Sequence, residues 1–332
     1  MRVMHVLKTV SKAAPTSLHR SASKTSTRGR KSPVQRATAG AITITHADRV
    51  VYPGESITKG DVAAYYQRVM TSLLPNVVKR PLSVIRCPEG ARNTCFFQKH
   101  PMGGLHHVGT IELKEEKGSL ATYMYAKNAS SILELVQFGA MEFHVWSTRI
   151  DRLETTDRVV FDLDPSPRVT WERIVAAARL LKVQLDELEL TSFVRTSGGK
   201  GLHVVLPVNP ACSWDLVKDF SHAIATRMAT GQPQEFVDTA SKTKRAGKIY
   251  VDYLRNTRGA TSIANYSLRT RKNAPVATPL RWEELSKIEG GDAFTIRSLP
   301  RRLSRLRKDP WENIDSVKQT LSAAMKKLEV GA

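Results

Sequence analysis

The segment RVVFDLDPSPRVTWERIVAAARLLKVQLDELELTSFVRTSGGKGLHVVLPV, residues 158–208, decides the fold. RVVFDLDP (158–165) is a run of branched and aromatic residues closed by a proline, and so reads as a strand. WERIVAAARLLKVQLDEL (171–188) repeats its apolar residues at helical spacing, and SFVRTSGGKGLHVVLPV (192–208) reads as strand, glycine turn and strand. Further out, DLVKDFSHAIATRMA (215–229) is a predicted helix and KIYVDYL (248–254) a further strand. Upstream, ITITHADRVVYPG (42–54) reads as a short strand and turn. Thr58 then opens a helix, with Asp61 placed as in a capping box. RPLSVIRCPEG (80–90) and CFFQKH (95–100) resemble short strands, and SSILELVQFGAMEFHVW (130–146) starts helical and ends alternating. Residues 297–327 are expected to add helix or coil around the basic stretch RRLSRLRK (301–308). There is no internal repeat. Strands and helices mixed in one run predict an α/β (α+β) domain over residues 41–332.

The chemistry sits at the end of the first of these strands. Asp162 and Asp164 are two apart, so on a strand both carboxylates project from one face while Phe161 and Leu163 take the other. Adjacent carboxylates repel and need a compensating charge, most commonly a divalent cation. A strand end whose acids face solvent explains an isolated Asp-x-Asp better, but here the pair closes the apolar run VVF at an edge where ligand sites often sit, which brings the two readings level. Asp252 adds a third acid, alone among apolar residues in KIYVDYL, where an unpaired carboxylate is costly. Three acids suit a two-metal centre that activates an attacking oxygen and stabilises a leaving one. The turn TSGGKGLH (196–203) offers converging backbone N–H groups, the Ser197 hydroxyl, the Lys200 charge and His203 as a further donor. It is not a Walker A sequence, and alone it reads more readily as a hairpin turn, but its place between two acid-bearing strands favours a phosphate cradle. Phe96 and Phe97 are adjacent on a strand, so one is expected in the core and the other free to stack on a base. His144 and Trp146 either line the same cleft or pack in the core.

Composition narrows the partner. The 332 residues carry 51 Lys and Arg against 31 acids, a formal charge of +20, which favours a polyanion. Residues 1–40 hold nine of those bases and no acid, so the remaining chain still carries +11. Residues 11–40 are Ser-, Thr- and base-rich with few large apolar side chains, and a disordered basic arm or linker is expected over 1–40. The acid-free start also has the character of a transit peptide, with Val3, Val6, Leu7 and Val10 on one helical face. No apolar run approaches the ~20 residues of a membrane span, so a soluble protein without a membrane partner is expected. Cys87, Cys95 and Cys212 form an odd set without CxxC spacing, and neither a disulfide framework nor a zinc site is expected of them. They suit a reducing compartment.

In order along the chain, FDLDP, SGGKGLHVVLP and VDYLRNTRGATSIANYSLRTR resemble the three motifs of the archaeo-eukaryotic primase superfamily. More narrowly, they resemble the polymerase domain of bacterial ligase D, used in nonhomologous end joining. HADRVVYP, TKGDVAAYY, CFFQKH, EFHVW, APVATPLRWEEL and RKDPWENI extend the resemblance from about Thr43 to about Asn313. It implies a two-lobed primase-polymerase fold, with a central mixed sheet carrying the acidic site and flanking helices. It further implies that Asp162, Asp164 and Asp252 hold two divalent ions, manganese or else magnesium, for nucleotidyl transfer from an NTP or dNTP, with ribonucleotides favoured. Ser197, Lys200, His203 and Arg269 would contact the incoming nucleotide. Arg49 and Lys59 would bind the 5′-phosphate of a DNA gap or end, Phe96 and Phe97 would stack on template bases, and Arg245 would lie near the DNA. Ku and a DNA ligase, fused or separate, are the implied partners, in the cytoplasm of a bacterium at the nucleoid. One departure is ANYS (264–267) where Ala-Pro-Tyr-Ser is more usual, which puts the local turn in doubt. No ligase nucleophile motif or phosphoesterase module is recognisable in these 332 residues.

The expected activity is therefore template-directed extension of DNA ends and filling of short gaps. A metal-dependent nuclease or phosphodiesterase would use the same acids, but has no need of a triphosphate pocket. A non-catalytic DNA end-binding module is the other alternative.

Overall fold

Val159, Phe161 and Leu163 are fully buried on one face of the strand Thr155–Pro165, against helices that follow it in sequence. Each such side chain contributes about 1.5–3 kcal/mol on burial, which fixes the register and turns Asp162 and Asp164 to the other face. The computed structural model describes residues 37–39, 42–115 and 118–330. Residues 1–36, most of the expected basic arm and the whole of the transit-peptide reading, lie outside the described residues. Ala37–Ala39 pairs with Ile42–Ile44 as a short antiparallel ribbon.

Two six-stranded sheets organise the rest. In the first, the order is Ser262–Ile263, Ala140–Val145, Pro81–Arg86, Leu120–Tyr125 and Gly109–Lys114, and Phe96–Gln98 also pairs with Pro81–Arg86. Helices α1 (Lys59–Val77) and α2 (Ala129–Gln137) share its core. The α1 N-terminus is the expected capping box: Asp61 N–H donates to Thr58 Oγ1 at 3.1 Å, and Thr58 N–H donates to Asp61 Oδ2 at 2.8 Å. In the second sheet the order is Phe236–Val237, Ile249–Asp252, Thr155–Pro165, Leu202–Ser213, Phe193–Thr196 and Pro279–Leu280. Helices α3 (Trp171–Glu187) and α4 (Trp214–Gly231) cover one face. On the other face Val160 and Val205 pack against Trp311 and Ile314. Short helices α5 (Leu299–Arg305) and α6 (Ser322–Val330) complete the C-terminal part. The mixed α/β class is thus as expected.

The two sheets are tied by polar groups as well as by chain crossings. Buried Arg80, beside the first sheet, donates twice to Asp157 on the acidic strand, at 2.8 and 2.7 Å. Asn265 accepts from Arg195 at 2.8 Å and donates to Asn76 of α1 at 3.0 Å. At the position where proline is more usual, asparagine therefore joins the sheets through a side chain that proline lacks.

Two expectations need correction. Cys87 and Cys95 are joined as a disulfide, with Cα atoms 4.4 Å apart, and Cys212 is free and buried. Arg86 stands opposite Phe96 in the ladder, so the next residues outward, Cys87 and Cys95, face each other. That juxtaposition comes from strand register and not from any spacing motif, and the cysteines carry no argument about compartment. Phe96 and Phe97 are both exposed, at 49% and 55%, where one was expected in the core. Their short strand lies off the main order, paired with Pro81–Arg86, and packing across it leaves both rings about half exposed.

Candidate active site

The register of the second sheet brings the acids together. Asp162 stands opposite Asp252 across one antiparallel pairing and opposite His203 across the other. Burial pushes the Asp162 carboxyl up to about 6; Arg255 opposes that shift, and Asp252 and Asp164 add to it. Arg255 lies between two of the acids, its Nε 3.1 Å from Asp252 Oδ2 and 3.5 Å from Asp162 Oδ2. Asp252 Oδ1 also accepts from the Leu254 N–H at 3.0 Å and from the Tyr250 hydroxyl at 3.2 Å. The buried third acid is thus matched by a cation and hydrogen bonds. Asp164 is more open and is paired with Arg245, whose guanidinium also covers the Tyr250 ring at 4.8 Å.

As placed, no three acid, histidine or cysteine side chains among the described residues converge into a ready-made metal cluster. The donor set nevertheless fits hard divalent cations. It consists of carboxylate oxygens from neighbouring positions, one of them buried and raised by that burial and by the two acids beside it, which a cation would offset.

His203 is oriented rather than free. Its Nδ1 faces the Arg195 guanidinium at 3.0 Å, which assigns Nδ1 as acceptor and leaves Nε2–H toward Asp162 Oδ1 at 3.4 Å. Burial, followed by the Arg195, Arg255 and Arg269 charges, holds the imidazole well below its usual pKa, so the ring is neutral. Burial, opposed by Asp162, pushes Arg195 itself down to about 9.

The glycine turn closes on itself through Ser197, whose hydroxyl donates to Gly201 O at 2.9 Å and accepts from Gly199 N–H at 3.2 Å. Gly198 has φ +65, the left-handed region. At Gly201 a Cβ would lie 2.1 Å from Leu163 O, so only glycine lets the turn reach the acidic strand. Lys200 is exposed at the tip. Arg269 donates to Ser197 O at 2.9 Å and sets its Nε 2.9 Å from Glu142 Oε2.

Glu142, on the first sheet, is the hub that sequence reasoning missed. Its Oε1 accepts from Thr270 N–H and hydroxyl, both at 2.6 Å, and its Oε2 meets His144 Nε2 at 3.0 Å as well as Arg269. Burial raises this carboxyl, but His144, Arg269 and Thr270 outweigh it and hold the pKa at about 2. The Phe97 ring meets His144 edge-on at 5.8 Å, which carries the chain of contacts out to the exposed aromatic pair. Arg195 and Arg255 were missed too. Arg255 stands in the quoted VDYLRN, three residues after Asp252, a signal that was available.

Arg49 and Lys59 are brought to each other by the turn before α1, where Lys59 N–H donates to Arg49 O at 2.8 Å. The enclosed Lys59 Nζ donates to Gln137 Oε1 at 2.8 Å and Thr45 O at 3.0 Å. Burial and then the Arg49 charge lower its pKa to about 8. Among the described residues neither Arg49 nor Lys59 has a carboxylate within ion-pair distance, and Lys59 sits between α1 and Gln137 of α2, away from the acidic strand.

A family profile described as LigD, primase-polymerase domain, matches residues 58–311. The chain belongs to the LigD primase-polymerase domain family. It is 38% identical over 295 residues to the multifunctional non-homologous end joining protein LigD of Pseudomonas aeruginosa, covering 88% of this chain and 35% of that protein. To the multifunctional non-homologous end joining DNA repair protein LigD of Mycobacterium tuberculosis it is 32% identical, covering 74% and 33%. To the bifunctional LigD of Bacillus subtilis it is 31% identical, covering 79% and 42%. The chain thus spans about a third to two fifths of the length of these relatives. Among solved structures it is similar to the polymerase domain of Mycobacterium tuberculosis ligase D in complex with DNA. There the TM-score is 0.77 at 29% identity, covering 83% of this chain and 98% of that one. The LigD primase-polymerase fold expected from the motifs is therefore the fold of this chain.

Proposed function

We propose that the chain is a template-directed nucleotidyltransferase that extends DNA ends and fills short gaps in nonhomologous end joining, with ribonucleotides preferred. The observation that carries it is the register placing Asp162 opposite both Asp252 and His203, beside a glycine turn clamped by Arg269. Asp162, Asp164 and Asp252 would hold two divalent cations, manganese or magnesium, which when bound supply charge for the attacking 3′-oxygen and the departing pyrophosphate. Ser197, Lys200 and Arg269 offer donors and positive charge to a triphosphate. Neutral His203, held by Arg195, keeps its Nε2–H directed at the acidic strand. Arg245, on Asp164, gives DNA a cation beside the acids. Phe96 and Phe97 offer two half-exposed rings on which template bases would stack. Arg49 and Lys59 receive the 5′-phosphate across the gap. Ku and a DNA ligase are the proposed partners, at the nucleoid of a bacterial cell. Among the described residues no helix is long and apolar enough to cross a membrane.

Primer extension on a gapped duplex with a recessed 5′-phosphate, NTPs and manganese tests the proposal. Wild type adds the templated nucleotide and the Asp162→Ala/Asp164→Ala double variant does not; no extension by wild type, or equal extension by both, refutes it. The nuclease alternative is disfavoured by the Arg269 clamp on Ser197, and it requires nucleotide release from DNA without added NTP.

A further inference from the structure

The basic stretch at residues 301–308 takes no part in the site described above, yet its arginines are sorted by face. Ile296 and Leu299 are buried against the α1 core, with Leu303 packed beside them. On the same short segment Arg297, Arg301 and Arg305, four apart, are exposed on the opposite face. Arg302 points inward and is used structurally, pairing with Glu284 at 2.7 Å and covering the Phe294 ring at 5.0 Å. A groove runs between this segment and α1, lined by Asp61, Tyr65, Arg68, Arg297, Pro300 and Arg301. Among the described residues, Arg68, Arg297, Arg301 and Arg305 have no carboxylate within ion-pair distance. Asp61, the acid in the groove, is engaged with Thr58 at the helix cap. Arg297 donates to Glu55 O at 2.6 Å, which fixes its side chain at the groove edge.

Unpaired arginines aligned on one face repel one another, and nothing in the packing requires them there. Leu299 and Ile296 hold the segment without them. A polyanion relieves that repulsion. Arg301 and Arg305, four residues apart on α5 and so ~6 Å apart along its axis, with Arg297 and Arg68 beside them, spread positive charge over more length than a single small anion fills, as a run of backbone phosphates does. We infer that the groove between α1 and α5 is a second DNA-contact surface, a sequence-independent track for backbone phosphates. It is formed by Arg68, Arg297 and Arg301 in the groove and by exposed Arg305 at the end of α5 beyond it, and is distinct from the Arg49–Lys59 pair. This inference rests on the DNA-directed reading given above.

The test is a salt titration of binding to a fluorescent duplex with a recessed end, made with and without the 5′-phosphate, for wild type, Arg301→Ala/Arg305→Ala and Arg301→Lys/Arg305→Lys. Each lost phosphate contact lowers the slope of log K against log salt by about 0.9. The alanine pair is expected to lose about one to two units of slope, equally on both duplexes, while the lysine pair retains the slope. Thermal melting should match wild type in both variants, because the substituted side chains are exposed. An unchanged slope in the alanine pair overturns the track, as does a loss confined to the 5′-phosphorylated duplex. If wild type itself fails to bind either duplex, the DNA-directed reading falls, and the track with it.

Discussion

Glu142 shows how a single buried charge organises the site. It holds Arg269 and His144 from the first sheet while Arg269 reaches Ser197 on the second. Glu142→Gln keeps the shape but removes the charge that orients both partners. The nucleotide KM in steady-state extension should rise about tenfold, the worth of one charge-assisted contact, with a smaller change in kcat. An unchanged KM would mean that Arg269 needs no such anchor. Lys59 makes a pH prediction. With its pKa lowered from the ordinary 10.5 to about 8, the ammonium prevails at pH 7, is half lost at about pH 8 and is lost above it. Preference for 5′-phosphorylated over unphosphorylated gaps should be full at pH 7 and fall by up to ~10-fold per unit above pH 8. Lys59→Arg, which does not deprotonate in this range, should flatten the profile. A preference constant from pH 7 to 9.5 in wild type would remove Lys59 from the phosphate contact.

At the scale of elements, the acidic strand and the glycine turn depend on one close approach. A Cβ at position 201 would lie 2.1 Å from Leu163 O, so Gly201→Ala must push the hairpin off the strand bearing Asp162 and Asp164. A cost of about 1–3 kcal/mol and a visibly lower Tm are expected, together with lost extension. A melting curve identical to wild type would show that the two strands tolerate separation. The exposed aromatic strand predicts the opposite pattern. Phe96→Ala and Phe97→Ala should each change stability by less than ~0.5 kcal/mol, yet weaken binding of an unpaired template end by about 1–3 kcal/mol per stacked base. Much at this scale was legible in the sequence. Alternation in RVVFDLDP set the facing of the acids, and Thr58 with Asp61 marked the start of α1. The hairpin Gly109–Lys114 with Leu120–Tyr125 was not anticipated, because residues 115–119, EEKGS, join it in place of a two-residue Asn-Gly turn. The exposure of both Phe96 and Phe97 depends on what fails to cover an edge strand, which no local pattern records.

Over the whole molecule, the site is a product of two sheets that cross-brace each other. Asp162, Asp252 and His203 come from three neighbouring strands of one sheet, while Glu142 and His144 come from the other. The acids were readable because strand periodicity is local. Arg195 and Glu142 were not legible because their partners are set by tertiary pairing, whereas Arg255, three residues after Asp252, was within reach of a local reading. Arg80 with Asp157, and Asn265 with Arg195 and Asn76, hold the sheets in that relation. Removing Asp157 would leave Arg80 buried and unpaired, at a cost of about 3–5 kcal/mol. The most direct measurement of the central claim is single-nucleotide incorporation opposite each of the four template bases, with manganese, by wild type and by Asp252→Asn. The account predicts that wild type adds the complementary nucleotide in each case and that Asp252→Asn adds none while still binding the duplex. Addition independent of the template base, or undiminished addition by Asp252→Asn, would contradict it.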